Sequence, residues 1–147
     1  MTPRAERGKR ADYVRYHSIS TRWMDNDAYG HINNVVYYSF FDTAVNRLLI
    51  EAGLLDVARG PTIGLVVETQ CRYFSPASFP SDIHAGVRVA HLGRSSVRYE
   101  IGLFRNDDEL ASAEGHFVHV YVDRDSGRPV PVPDDMRRFL ELLRAPG

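Results

Sequence analysis

The sequence predicts an α+β domain in which an antiparallel sheet of about five strands packs on one long helix. Three observations carry that expectation: a helical stripe of apolar residues from Asn34 to Ala52, period-two alternation in the segments after it, and the absence of alternating βαβα units. A chain of 147 residues is long enough to bury a core without staples and suits one domain. We expect a flexible N-terminal tail over residues 1–12 and a single domain over 13–147.

Tyr16 to Trp23 alternates as a short strand does, and a polar loop from Met24 to Asn33 follows. The period then changes. Tyr38, Phe41, Val45, Leu48, Leu49 and Ala52 form one helical stripe, with Asn33 placed to cap its start and Gly53 to stop it. Beyond the Gly60-Pro61 breaker, Thr62 to Phe74 reads as a long strand closed by Ser75-Pro76-Ala77 and Phe79-Pro80. Ile83, Ala85, Val87 and Val89 alternate with polar or small residues, and Val97, Tyr99, Ile101 and Leu103 do so again after the turn at Gly93. Asn106-Asp107-Asp108 is a turn signal before a last strand from Leu110 to Val122. Pro129, Pro131 and Pro133 end regular pairing, and Asp134 to Leu143 reads as a short terminal helix.

Composition narrows the function classes. A formal net charge of -1 gives no polyanion footprint, so nucleic acid is not an expected partner. No apolar run reaches the roughly 20 residues that span a bilayer, and no membrane insertion is expected. Cys71 is the single cysteine, which excludes a disulfide within one chain and suits a reducing compartment. Met1 to Asp12 carries Arg4, Arg7, Lys9 and Arg10 without the apolar core of a secretory signal, so a cytoplasmic protein is expected. Lys9 is the sole lysine beside many arginines, a composition that points to a GC-rich bacterial genome.

The chemistry concentrates in Arg22 to Asn34, where acids, amides and an imidazole precede a helix start. Unpaired N–H groups and a partial positive charge there can polarise a carbonyl beside a carboxylate. Asp27 is the leading candidate. Asp25, Asp27 and His31 could instead converge on a metal ion, or the acids could cap the turn. Asp42 on the helix is a second candidate carboxylate, and Glu68 has similar status. His116 and His119 lie three apart on a strand and point to opposite faces, so they cannot chelate together. Cys71 shares a predicted face with Leu65, Val67 and Thr69, the setting of a buried thiol rather than a nucleophile. Tyr29, Tyr37, Tyr38, Phe40 and Phe41 crowd the loop and the first helical turns. No G-x-S-x-G, G-x-G-x-x-G or P-loop occurs.

The run R-W-M-D-N-D-A-Y-G-H-I-N-N-V-V-Y-Y, with its D-x-D-x-x-G-H-x-N-N-x-x-Y pattern before a helix and long strands after it, resembles the hotdog-fold acyl-CoA thioesterases of the 4-hydroxybenzoyl-CoA thioesterase class. The resemblance spans about Tyr16 to Pro133. It implies that an antiparallel sheet wraps the long helix and that subunits pair sheet edges into a homodimer or homotetramer, with active sites at the dimer interface. It further implies an acyl-CoA substrate, no metal and no separate cofactor. By the same resemblance Asp27 is the nucleophile or general base, and a backbone N–H on or next to Asn34 polarises the thioester carbonyl. G-H-I-N-N-V-V-Y is more similar to acyl-carrier-protein thioesterases and their bacterial relatives, which makes an acyl carrier protein an alternative partner and matches Asp27 and His31 to a catalytic pair. His31 either takes part in catalysis or orients the loop, and Tyr29 stands where that pattern has an amide. Asn33 and Tyr37 fall on the substrate side, and Arg94, Ser95 and Ser96 resemble the phosphate-side segment, with Arg98 and Arg72 as further cations. A binding protein that uses the same cleft without hydrolysis is the alternative function, and a hydratase fits the motif least.

Overall fold

The computed structural model describes residues 7–145. Its strands are β1 (Arg15–Ser20), β2 (Thr62–Tyr73), β3 (Asp82–Leu92), β4 (Ser96–Arg105) and β5 (Ala113–Asp123), and its α-helices are α1 (Val36–Glu51) and α2 (Asp134–Glu141). The strands form one sheet in the order β1-β3-β4-β5-β2, with every pairing antiparallel. Since β1 and β2 are the two edges, the chain between them must cross the whole width of the sheet, and α1 is the element that does so. The meander β3-β4-β5 then fills the space between the edges. The predicted five strands around one long helix are all present.

The helix buries Tyr37, Phe40, Phe41, Ala44, Val45, Leu48 and Leu49 against the inner face of the sheet. Each of the Phe, Val and Leu side chains among them contributes roughly 1.5–3 kcal/mol by leaving water. The buried face is wider than the predicted stripe: Phe41, Val45, Leu48 and Leu49 are buried and Tyr38 packs partly buried on the core, Tyr37, Phe40 and Ala44 join them, and Ala52 and Asp42 are exposed. Helical structure also begins later than expected, at Val36. Asn33 organises the approach, since its carbonyl accepts the Val36 N–H at 2.9 Å and its side-chain Oδ1 accepts the Val35 N–H at 3.1 Å. At the other end Gly53 takes φ +72°, its N–H reaching the Ile50 carbonyl at 3.0 Å while the Leu54 N–H reaches the Leu49 carbonyl at 2.9 Å. That double bond is a Schellman stop, and it requires a residue at ease with positive φ.

Two irregularities were not visible in the sequence. A bulge in β2 between Val66 and Glu68 leaves Val67 without a partner on β5 and reverses the facing of the strand on either side of it. Cys71 and Thr69 consequently share the inner face with Val66, opposite His119, whereas Leu65 pairs with the outward Val120. The predicted common face of Cys71 with Leu65 and Val67 is therefore corrected.

The second concerns the predicted tail. Residues 1–6 lie outside the described residues, but 7–12 are tied to the sheet rather than loose. The Gly8 N–H donates to the Glu114 carboxylate at 2.6 Å, Lys9 bridges Leu110, and Arg10–Asp12 form a 3-10 turn. The chain then lays Tyr13 over Gly102 on the outer face, where a Cβ would stand 2.5 Å from the ring. At the C-terminus α2 buries Met136 and Leu140, and residues 143–145 hydrogen-bond to Val89, covering the edge of β3 where β1 has ended.

Phe41 packs directly on β5 because residue 115 is glycine. A Cβ there would lie 2.6 Å from the Phe41 ring and against the Gln70 carbonyl. Gly115→Val is expected to destabilise the fold by about 1–3 kcal/mol, the usual cost of overpacking, as measured by urea unfolding.

His119 faces inward from β5, with the Phe117 ring at 4.8 Å, Tyr99 at 5.6 Å and Tyr121 at 5.8 Å. As predicted, it points to the face opposite His116. Burial pushes its pKa down to about 4, against the weaker upward pull of the Asp42 carboxylate. An unfolded imidazole takes up its proton near pH 6.5, so between pH 6.5 and about 4 the unfolded chain binds more protons. Stability is thus full above pH 6.5 and falls as the pH drops towards 4. Urea unfolding at pH 7 and pH 4.5 is expected to show His119→Gln losing about 2–3 kcal/mol less than the unmodified chain between those conditions.

Candidate active site

The loop that leaves β1 is clasped by Asp25, which is 1% exposed. Its carboxylate accepts the Arg22 backbone N–H at 2.7 Å and the Arg22 guanidinium at 3.0 Å, and its carbonyl accepts the Asn33 N–H at 2.8 Å. Asp25 is thereby committed to structure. The metal alternative for Asp25, Asp27 and His31 loses its buried ligand, and no three side chains of metal-binding type come together among the described residues.

Asp27 is held differently. Its N–H donates to the His31 carbonyl at 2.7 Å, and its own carbonyl accepts the Gly30 N–H at 3.1 Å. Carboxylate Oδ1 accepts the N–H of Tyr29 at 2.9 Å and that of His31 at 3.4 Å, while Oδ2 has no donor among the described residues. One oxygen is anchored and the other is free to act. Gly30, at φ +79°, turns the chain back so that this small ring of bonds closes.

Across from the loop stands the segment that follows β2. The Ile32 N–H donates to the Ala77 carbonyl at 2.8 Å, the Asn26 side chain accepts the Phe79 N–H at 3.0 Å, and Ser78 Oγ donates to the Gly30 carbonyl at 2.8 Å. Between these walls lies a cleft of about 370 Å³ lined by Asp27, His31, Ile32 and Asn34 on one side and Tyr73, Phe74, Ser75 and Pro76 on the other, with Tyr37 beside them. Tyr73 ties the walls together, its hydroxyl donating to the Asn34 carbonyl at 2.8 Å and its ring meeting Tyr37 edge-on at 5.0 Å. The Asn34 N–H, at the approach to α1, has no acceptor among the described residues. Asp27, with one free carboxylate oxygen, and Asn34, whose backbone N–H two residues before α1 has no acceptor, thus border one cleft.

Of the predicted site residues, Asp27, His31, Asn34 and Tyr37 meet at this cleft. His31 contacts Asp27 through backbone groups, and its imidazole is exposed. Asn33 spends its side chain on the Val35 N–H, and Tyr29 is 86% exposed outside the cleft lining. Arg94, Ser95 and Ser96 are not brought here within one chain. Tyr73 aligns with Ala113 and Leu103, whereas Ser96 aligns with Val120 and Leu65, so the turn lies at the far end of the sheet. Tyr73, Phe74, Ser75 and Pro76 were missed as site residues. The sequence marked them as a strand end and a turn, which says nothing of what they face.

The bystanders have ordinary roles. Burial pushes the Cys71 thiol up to about 11, the opposite of what a nucleophilic thiolate needs. Asp42 Oδ1 accepts the Asn46 amide at 3.0 Å, and Glu68 pairs with His116 at 2.8 Å on the outer face. Farther along the gap between α1 and β2, Tyr38, Phe41, Val66, Thr69 and Phe117 line a second, mainly apolar hollow of about 290 Å³, with Ser39 and Asp42 at its border.

An antiparallel five-stranded sheet wrapped on one long helix is the hotdog architecture. Residues 21–140 match the model of the thioesterase-like superfamily, and the chain belongs to that superfamily. The crystal structure of the PA5185 protein from Pseudomonas aeruginosa is 54% identical, with a TM-score of 0.93 over 95% of this chain and 98% of that one. A thioesterase from Thermus thermophilus, solved in complex with coenzyme A and Zn, is 30% identical over 90% of this chain and 95% of its own, with a TM-score of 0.73. The YsmA protein of Bacillus subtilis is 23% identical over 125 residues, 85% of this chain and 84% of that protein.

Proposed function

We propose that the protein is a thioester hydrolase that converts an acyl-CoA to the free acid and coenzyme A. The observation that carries this reading is the pairing at one cleft of Asp27, whose carboxylate has one anchored and one free oxygen, with Asn34, whose N–H just before α1 has no acceptor among the described residues. The coenzyme A bound by the Thermus thermophilus relative supports the substrate class. Within the superfamily the D-x-D pair before a helix favours the 4-hydroxybenzoyl-CoA thioesterase class, while G-H-I-N-N-V-V-Y favours an acyl carrier protein thioester as the alternative substrate.

In this mechanism the thioester carbonyl oxygen accepts the Asn34 N–H, which stabilises the oxyanion more than the ground-state carbonyl because negative charge develops there. Asp27 acts from Oδ2, as a base on water or as the attacking nucleophile. In the base route the carboxylate takes a proton from water, the hydroxide adds to the carbonyl carbon, and collapse of the adduct breaks the C–S bond. The leaving thiolate takes the proton back. With a cysteine-like thiol pKa of about 8.5, it departs without strong acid assistance, and His31 at the cleft either shares in that step or orients the loop. The acyl group extends towards the apolar hollow along α1. We assign the reaction to the cytoplasm, without metal or separate cofactor.

A dimer through β2 is supported by its 12-residue edge, which has no partner on one side among the described residues and on which Leu65, Val66 and Val67 are 46–60% exposed. Such an edge invites a second copy. Antiparallel pairing about a two-fold axis lays the Arg94-Ser95-Ser96 end of one subunit towards the Tyr73 end of the other, where the resemblance requires it.

Asp27→Asn is expected to lower kcat at least about 10²-fold with circular dichroism unchanged, in an assay of thiol release from a panel of acyl-CoAs. Undiminished turnover would remove Asp27 from the mechanism, and saturable binding without turnover in the unmodified protein would make the cleft a ligand-binding module. The double change Leu65→Lys and Val67→Lys is expected to convert the dimer to monomer in sedimentation experiments, because like charges would meet across the axis. An unchanged sedimentation coefficient would place the interface elsewhere.

A further inference from the structure

Resting on the thioesterase reading, we propose that Tyr73 is a positioning residue of the reaction: from the opposite wall of the cleft its hydroxyl holds the Asn34 backbone so that the Asn34 N–H stays aimed at the thioester carbonyl. The bond runs from the Tyr73 hydroxyl to the Asn34 carbonyl at 2.8 Å. Asn34 joins two peptide planes, each of them rigid. In the plane shared with Asn33, the Asn33 carbonyl accepts the Val36 N–H at 2.9 Å, and the Asn34 N–H on the other edge of that trans peptide has no acceptor among the described residues. In the plane shared with Val35, the Val35 N–H donates to Asn33 Oδ1 at 3.1 Å and the Asn34 carbonyl accepts the Tyr73 hydroxyl. Both planes are thus tied, and the group left over is the N–H of a residue that lines the cleft.

The helix does not supply this hold. A regular helical bond to the Asn34 carbonyl would come from the Tyr38 N–H, but that group donates to the Val35 carbonyl at 3.3 Å. Among the described residues Tyr73 alone donates to the Asn34 carbonyl, so a side chain from the far edge strand replaces the missing turn. Tyr73 is itself well fixed. It is the last residue of β2, paired with Ala113, and the Phe74 and Ser75 N–H groups beyond it both donate to the Ser112 carbonyl, at 2.8 and 3.1 Å. Its ring meets Tyr37 edge-on at 5.0 Å. Burial, and then the neighbouring Cys71, pushes the Tyr73 pKa upward, which keeps the proton on the phenol. An oxyanion donor contributes most when it is oriented before charge develops, because no reorganisation is then required. With the carbonyl released, Asn34 can turn and its N–H samples other directions. The loss falls on the transition state more than on the bound ground state.

Tyr73→Phe removes the hydroxyl and keeps the ring. In thiol-release assays with the acyl-CoA that the unmodified protein turns over fastest, it is expected to lower kcat about tenfold and to change KM by less than about twofold. Tyr16→Phe, which removes another hydroxyl-to-carbonyl bond, that to Arg10 at 2.6 Å away from the cleft, should alter neither constant. Nitrogen relaxation by NMR supplies a reading that needs no turnover: the order parameter of the Asn34 N–H should fall in Tyr73→Phe and hold in Tyr16→Phe. An unchanged kcat in Tyr73→Phe, a rise in KM with kcat intact, or an Asn34 amide equally ordered with and without the hydroxyl overturns the proposal. Failure of the hydrolytic reading would look different: no thiol release from any acyl-CoA by the unmodified protein, with the Asn34 amide still loosened in Tyr73→Phe.

Discussion

One constraint shapes the molecule: the strand before α1 and the strand after it are opposite edges of the same sheet. The helix must therefore run across the sheet, and its own start and the end of β2 must come together at the same border. Asn34 and Tyr73, 39 positions apart, meet there in a single hydrogen bond. The cleft is the space left where that border closes, so its position is a consequence of topology rather than of any one motif.

Within that space the two acids of the D-x-D pair divide the work by burial. Asp25 is enclosed and doubly bonded to Arg22, so it fixes the loop. Asp27, two residues on, is half-buried and bonded at one oxygen only. A carboxylate that is fully satisfied stabilises, while one partly satisfied beside an unspent N–H retains free energy for a ligand. The alternation of roles follows from the 3-10 turn at Trp23–Asp25, which directs the first acid inward and lets the chain emerge at the second.

Much of this was legible in the sequence, for reasons that differ by residue. Periodicity identified α1 and all five strands because burial on one face is written into the spacing of apolar residues, and Gly53 marked its helix end through the positive φ that glycine tolerates. Asp27, Asn34 and His31 were legible because they sit together on one short loop. The bulge at Val67 was not, since an extra residue in a strand of mixed valines, leucine and threonine leaves no mark on alternation. Tyr73 to Pro76 were invisible as site residues because their role depends on a contact across the fold, and the breadth of the buried helix face was underestimated because Tyr37, Phe40 and Ala44 fall beside the predicted stripe. The order of residues 7–12 was hidden for the same reason: their partners, Glu114 and Ala111, lie more than 100 positions away.

That last separation bears on how the chain acquires its structure. The bond from Gly8 to Glu114 spans 106 positions, so the first described residues must wait for β5 before they can settle. During synthesis the helix and the first edge strand emerge long before the meander that covers them, and the N-terminal segment docks only after almost the whole chain is available. Closing so long a loop costs entropy that local contacts cannot offset early on. The N-terminus is thus a latch that can fasten on the outer face only once β5 is there to receive it, and Arg7, whose guanidinium donates to Ser75 Oγ at 3.1 Å, braces the wall of the cleft only from that docked position.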